Sequence, residues 1–214
     1  MMKISEELEG VIAQMLKPLK GLQFNVVIEG LSGFKIIPYD NSDTKDITLL
    51  KNLIKVAEIV GHSINKQGIF RPRPNEVGND IEPFIKDALN KIGYKANTPI
   101  TKSGKKKSQG YPDIEFIDEF GRINYLECKT FNIKNIASTQ RSFFVSPSGD
   151  FKINADAHHF AICYEMRKEK NNIFKCNNWK IINLETLVLD VKHEFNSNNA
   201  RMYNEKLILA EGKI

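Results

Sequence analysis

The sequence predicts an α/β fold, and three observations predict it. Apolar residues recur at helical spacing in three stretches before residue 93. An alternating apolar and polar run, broken by a tight turn, spans 114–129. Two later apolar runs, 160–164 and 179–182, have the length of core strands. At 214 residues and 41% hydrophobic, the chain is expected to form a single domain over 1–214 with a sizeable core.

The first helix opens near Ser5 as its cap. Leu8, Val11, Ile12, Met15 and Leu16 follow on one face, and Pro18 closes it. Residues 24–28 and 34–37 are β-like pieces around Gly30 and Gly33, expected to pair as a hairpin. Asp43 or Thr44 opens a second helix with Ile47, Leu50, Ile54, Val56, Ala57 and Val60 on a broad apolar face, and Gly61 is its expected end. It reads as a packing helix or a dimerisation element. Phe70-Arg71-Pro72-Arg73-Pro74 reads as a stiff linker, because each proline fixes its own φ and biases its neighbour to extended backbone. Arg71 and Arg73 are either solvated linker charges or phosphate contacts.

A third helix begins at Glu76 or Asn79 and runs to Ile92, with Val77, Ile81, Ile85, Leu89 and Ile92 along one face. Gly93 stands where a C′ glycine belongs. A start at Asn79 leaves Pro83 in the first turn and makes Asn79 and Glu82 a capping box. Next come a polar loop, 101–110, with Lys102, Lys105, Lys106 and Lys107, and then the hairpin.

The hairpin's two strands are expected over 114–118 and 122–129. Glu119-Phe120-Gly121 joins them, with Gly121 in the left-handed position that a three-residue loop needs. In that register Asp118 faces Arg122, Ile117 faces Ile123, Glu115 faces Tyr125 and Asp113 faces Glu127. Alternation then gives Ile114, Phe116, Leu126 and Cys128 to the core, and Asp113, Glu127 and Lys129 to the other face. Directly opposed carboxylates repel. A cation between them removes the conflict, and Lys129 or a divalent metal would serve. The alternative is a surface hairpin with an ion pair between Lys129 and the acids.

Beyond Lys129 a short helix is expected over 132–139, then a segment over 140–154, a strand over 160–164, a strand over 179–182 and a helix over 184–191. His158 and His159 precede the first of these strands. As neighbours on a strand they point to opposite faces, which favours structural or phosphate-contact roles over a shared metal. The tail after residue 199 is expected to pack on the surface or on a second subunit.

Charge and cysteine usage set further bounds. Thirty-one Lys and Arg against 26 Asp and Glu give +5, a mild basic excess compatible with a polyanionic partner. Cys128, Cys163 and Cys176 are odd in number and lack metal-type spacing, which fits reduced thiols in a cytoplasmic protein. No apolar run approaches the roughly 18 residues of a membrane span. Met1 to Glu7 lacks the apolar core of a signal peptide.

Pro112-Asp113, thirteen residues, then Glu127-Cys128-Lys129 resembles the PD-(D/E)XK motif of the restriction-endonuclease-like nucleases. Among the branches of that superfamily the chain looks most like a type II restriction endonuclease. The resemblance implies a mixed central β-sheet flanked by helices and a core over about residues 76–165. Residues 1–70 would be an N-terminal helical part and 166–214 a C-terminal extension. It implies Mg²⁺ as cofactor, Asp113 and Glu127 as metal ligands and Asp113, Glu127 and Lys129 as catalytic residues. Glu82, on the helix before the hairpin, would be a helper ligand, beside its reading as a helix cap. The implied partner is double-stranded DNA, cut at a specific short sequence by a homodimer. The alternatives are a structure-specific repair or junction-resolving nuclease, and a non-catalytic DNA-binding protein on the same fold.

Two segments are candidate DNA contacts on this reading. Lys105, Lys106 and Lys107 lie just ahead of Asp113, where a nucleic-acid backbone near the acids would pass. Gln140, Arg141, Ser142, Ser146, Ser148, Lys152 and Asn154 include side chains that read base edges, since Arg pairs with G and Asn or Gln with A. An ordinary hairpin is the plainer reading of that second segment.

Overall fold

The computed structural model describes residues 2–15, 17, 19–73, 76–107, 109–139, 141–147, 149–192, 197–202 and 204–210. The chain divides into two compact units, Gln23–Val188 and a smaller one made of Met1–Leu22 with Leu189–Ile214. It passes from one to the other at two-residue strands, β1 (Leu22–Gln23) and β8 (Val188–Leu189).

The smaller unit holds helix α1 (Met2–Met15), which begins ahead of Ser5. Leu8, Val11, Ile12 and Met15, the expected packing face, are exposed. Pro18 lies outside the described residues. A short helix, α5 (Asn199–Met202), follows in the tail.

The larger unit is a mixed α/β structure around a six-stranded sheet. Its strands are β2 (Ile69–Phe70), β3 (Lys95–Asn97), β4 (Ile114–Ile117), β5 (Ile123–Phe131), β6 (His158–Lys168) and β7 (Ile173–Asn183), in the spatial order β2-β7-β6-β5-β4-β3. β5 and β6 are parallel, and the other pairs are antiparallel.

Helices α3 (Thr44–Gln67) and α4 (Gly78–Lys91) contribute to the main apolar core with one face of this sheet. From α3 come Leu49, Leu53, Val56, Ala57, Val60 and Ile64; from α4, Ile81, Ile85, Ala88 and Leu89; from the hairpin, Ile114, Phe116, Leu126 and Cys128. The hairpin's core face is thus the one its register dictates.

Asp43 caps α3 by accepting the Lys45 N–H. The helix does not end at Gly61. That glycine is buried, and a Cβ there would stand 3.7 Å from Cys176 Sγ, so it marks a close approach to β7. Gly68, at φ 72°, is the true stop. The buried stripe also runs through Asp46, Leu49 and Leu53, which leaves Ile47, Leu50 and Ile54 at its partly exposed margins.

Other expectations are corrected. Residues 24–32 form helix α2 (Phe24–Ser32), because Phe24 and Ile28, four apart, bury one face; Gly33 ends it at φ 80°. Ile36 makes only a single parallel bridge, to Ala157. Helix α4 starts at Gly78 with Val77 as an N-cap that gives no side-chain bond, so Asn79 caps nothing and Pro83 is interior. The described part of 140–154 contains no strand, and 132–139 contains only a 3-10 turn at Ile133–Asn135. Residues 184–191 are not helical: Asn183 Oδ1 accepts the Glu185 N–H and turns the chain. The linker charge Arg71 is engaged in an ion pair with Asp80 on α4.

No helix among the described residues is long and apolar enough to cross a membrane. Cys128, Cys163 and Cys176 are free and buried.

Candidate active site

The site grows out of the hairpin. Ile114 pairs with Leu126, Glu115 with Tyr125 and Ile117 with Ile123. Asp118 and Arg122 close the loop through the Asp118 N–H to Arg122 carbonyl bond, and Gly121 takes φ 77°. Asp113 precedes the first strand residue. Its Oδ2 accepts the Cys128 N–H at 2.8 Å, which ties its carboxylate across the hairpin next to Glu127. Tyr111–Pro112, just before it, is a cis peptide.

Glu127 is 4% exposed. Its Oε1 takes the Lys129 ammonium at 2.7 Å, while its Oε2 is buried with no hydrogen-bond partner among the described residues. Burial, then the charge of Asp113, pushes the Glu127 carboxyl up to about 7, against the pull of Lys129. Burial also raises Asp113, and the Cys128 N–H and Lys129 offset only part of that. Burial draws the Lys129 pKa down, but Glu127 and Asp113 outweigh it and the net shift is upward. The arrangement is a cation beside two acids that still resist sharing a site.

The face bearing these groups is not open solvent along its whole length. Tyr125, His158 and His159 are buried. Phe24 of α2 packs edge-on against Tyr111 at 5.2 Å and against Phe143 at 5.4 Å between ring centres. Tyr111 Oη is 2.6 Å from His159 Nδ1. Burial, then His158, lowers His159 to about 3, so it is neutral. His158 Nδ1 donates to the Ile37 carbonyl at 3.0 Å, and its Nε2 lies 3.3 Å from Arg122 Nη1 and from Asp46 Oδ1. Both histidines are buried in the protein.

A groove of about 780 Å³ opens at this end of the hairpin, lined by Glu82, Asp113, Lys129, Asn135, Arg141 and Ser142 among others. Glu82 faces it from α4 and is paired with Lys86 at 2.8 Å. No group of three or more His, Cys, Asp or Glu forms a metal cage among the described residues.

The other candidate contacts are scattered. Lys105 and Lys106 are exposed beyond the groove. Lys107 and Ser146 line a second cavity of about 430 Å³, which Phe144 shares with the first. Arg141 lies over the Phe144 ring at 5.2 Å. Asn154 gives its amide to the Ile100 carbonyl at 2.6 Å. Lys152 is 3% exposed and gives its ammonium to two backbone carbonyls. Gln140 and Ser148 lie outside the described residues. The sequence offers Lys152 as a candidate DNA contact; its setting between Phe151 and Ile153 is the sign that it is internal.

Comparison with known proteins gives the family. The model of the type II restriction enzyme MjaV family matches residues 18–206, well beyond the motif-bearing core. Type II restriction enzyme MjaV of Methanocaldococcus jannaschii is 42% identical over 221 residues, covering 96% of this chain and 95% of the relative. No solved structure matches. The chain belongs to the type II restriction enzyme MjaV family.

Proposed function

We propose that this chain is a type II restriction endonuclease that hydrolyses phosphodiester bonds of double-stranded DNA at a specific short sequence, with Mg²⁺ as cofactor. The observation that carries the reading is the pair of half-buried Asp113 and buried Glu127, with Lys129 on Glu127, at the edge of a groove. Family membership supports it.

The residues present fit Mg²⁺. It takes hard oxygen ligands, one or two carboxylates beside several waters, and does not need an all-protein cage. Glu127 Oε2 is a buried acceptor without a partner, and the two carboxylates repel until a cation joins them. Asp113 and Glu127 would hold the ion, with Glu82 as a helper across the groove. Bound there, Mg²⁺ supplies an activated water and stabilises charge on the transferring phosphoryl group. Lys129, charged beside Glu127, orients the attacking water and neutralises phosphate charge. Two strands of a palindrome need two such centres, so the working species is proposed to be a homodimer.

Plasmid incubated with the chain and Mg²⁺ tests the reading, with Asp113→Asn as control. Discrete bands, lost in the variant, are expected. Smears or a preference for branched DNA would indicate a structure-specific nuclease. Binding without cutting would indicate a non-catalytic DNA-binding protein.

A further inference from the structure

We propose that Lys152 is a positioning residue of this site: its buried ammonium clamps the backbone that presents Asp113. The inference rests on the endonuclease reading above. Lys152 Nζ donates to the Gly110 carbonyl at 2.6 Å and to the Pro112 carbonyl at 2.9 Å. Those two carbonyls bracket Tyr111, and the second belongs to the residue before Asp113. One side chain, about forty positions away in sequence, therefore grips the turn on both sides.

Asp113 is held from its other side by the Cys128 N–H. Together the two contacts fix where the carboxylate stands relative to Glu127. The neighbouring acceptors explain why a lysine occupies a nearly closed interior position. Two carbonyls take its hydrogens, and Asp113, Glu127 and Glu82 offset the burial of its charge, although burial still wins and its pKa is lowered. A buried ammonium without such acceptors would be strongly disfavoured. The packing around it holds the grip in register. Phe151 and Ile153 on either side are buried, and the Asn154 N–H bonds Tyr125 Oη.

A phosphate contact and a clamp make different demands. Lys152 as a phosphate contact would release counterions on binding, and its loss would flatten the salt dependence of DNA affinity by about 0.9 in log–log slope. A clamp lies inside the protein in both free and bound states, so its loss leaves that slope unchanged. It acts instead on the rate, because misplacing a reacting group by about 1 Å can cost about 100-fold.

The test uses Lys152→Met, which keeps length and loses the donors, and Lys152→Gln, which keeps an N–H donor. Each full-length variant is compared with the wild-type chain on a plasmid and on a short duplex carrying a mapped cut site. Expected for Lys152→Met are single-turnover cutting slowed on the order of 100-fold, the scale of a 1 Å misplacement, and an unchanged salt slope of DNA binding. The rise in melting temperature on adding Mg²⁺ should shrink. Lys152→Gln should bind with the same slope and cut faster than Lys152→Met, and it carries the test if the methionine variant does not fold. Wild-type cutting by either variant, or a flattened slope, overturns the inference. Asp113→Asn and Lys129→Ala run beside them. If those two also cut like wild type, the site itself is misassigned; if they are dead while the Lys152 variants cut normally, only the clamp falls.

Discussion

The hairpin carries a buried charge cluster at each end, and the two differ in how completely they are satisfied. At the turn end Asp118 Oδ1 accepts the N–H groups of Phe120 and Arg122, and its Oδ2 accepts Arg122 Nε at 2.8 Å. Asp46 from α3 accepts the Asp40 N–H and, at 2.6 Å, Arg122 Nη1. Burial works against the Asp46 charge, yet the Asp40 N–H, Arg122 and His158 outweigh it and hold its carboxyl below the usual range. The loose ends are Arg122 Nη2 and, beside it, Asn124 Oδ1, both without a partner among the described residues. At the other end Asp113 and Glu127 are both pushed up, and a carboxylate oxygen is left over. The same hairpin thus carries a cluster whose acids are fully bonded and one whose acids are raised, chiefly by burial, with an acceptor left over. The first cluster joins α3 to the hairpin, and the second is the one proposed above to take a cation. Removing one charge from each should therefore have opposite consequences for stability.

The largest expected effect is at the turn end. Asp46→Ala breaks a buried ion pair and leaves Arg122 under-compensated, a loss of about 3–5 kcal/mol on the scale of such pairs. For a chain of this size that is a fall in melting temperature of roughly 6–20 °C. Cutting per folded molecule at low temperature should stay near wild type. Calorimetry beside a cleavage assay checks both, and a variant that melts normally but cuts poorly would move Asp46 into the functional machinery.

Next comes Lys129→Ala at the open end. It should slow cutting at least about 100-fold, the lower end of acid–base contributions. That equals about 3 kcal/mol of barrier. DNA binding in Ca²⁺ should persist, because the residue is proposed to act beside the reacting phosphate. Cleavage within a few-fold of wild type would take Lys129 out of the mechanism.

A smaller effect is expected outside both clusters. Lys105, Lys106 and Lys107 are exposed and lead toward Asp113. Replacing all three with Ala should weaken binding to cognate and random DNA alike. It should also lower the log–log salt slope by about 0.9 per lost contact, with melting unchanged. An unaltered slope would make them ordinary surface charges.

How much of this was legible in the sequence depends on the range of the interaction. The hairpin was legible because Gly121 sets the loop and the loop sets the register, all within about twenty residues. That register brings Asp113, Glu127 and Lys129 together without any knowledge of the rest of the fold. Helix α2 was not legible, because Val26, Val27 and Ile28 invite a strand reading while the helical spacing of Phe24 and Ile28 is only two residues deep. The partners of Lys152 are likewise not legible locally, since the carbonyls it binds lie about forty residues earlier. Glu82 could be read as cap or ligand from sequence. The helix start at Gly78 rules out the capping box and leaves its side chain on the groove with Lys86.

The smallest effect has the opposite sign from the first and is the sharpest test of the comparison. Asp113→Asn removes one charge and nearly preserves shape, and its amide oxygen can still accept the Cys128 N–H. If the open end is a cluster with too much negative charge, the substitution relieves a repulsion. The metal-free protein should then melt slightly higher near neutral pH, by a few tenths to about 1 kcal/mol, the scale of cross-strand pairs. The same change removes a proposed ligand, so it should abolish cutting and most of the stabilisation by added Mg²⁺. Asp46→Ala should melt lower in chelator and in Mg²⁺ alike, because nothing at the turn end waits for a cation. Six melting curves, wild type and each variant with chelator and with Mg²⁺, decide the matter. An Asp113→Asn protein that melts lower in chelator would mean that its carboxylate is as well compensated as Asp46. One that keeps its full Mg²⁺ response would mean that the ion sits elsewhere. Either result would erase the contrast between the two ends of the hairpin and require a different placement of the catalytic centre.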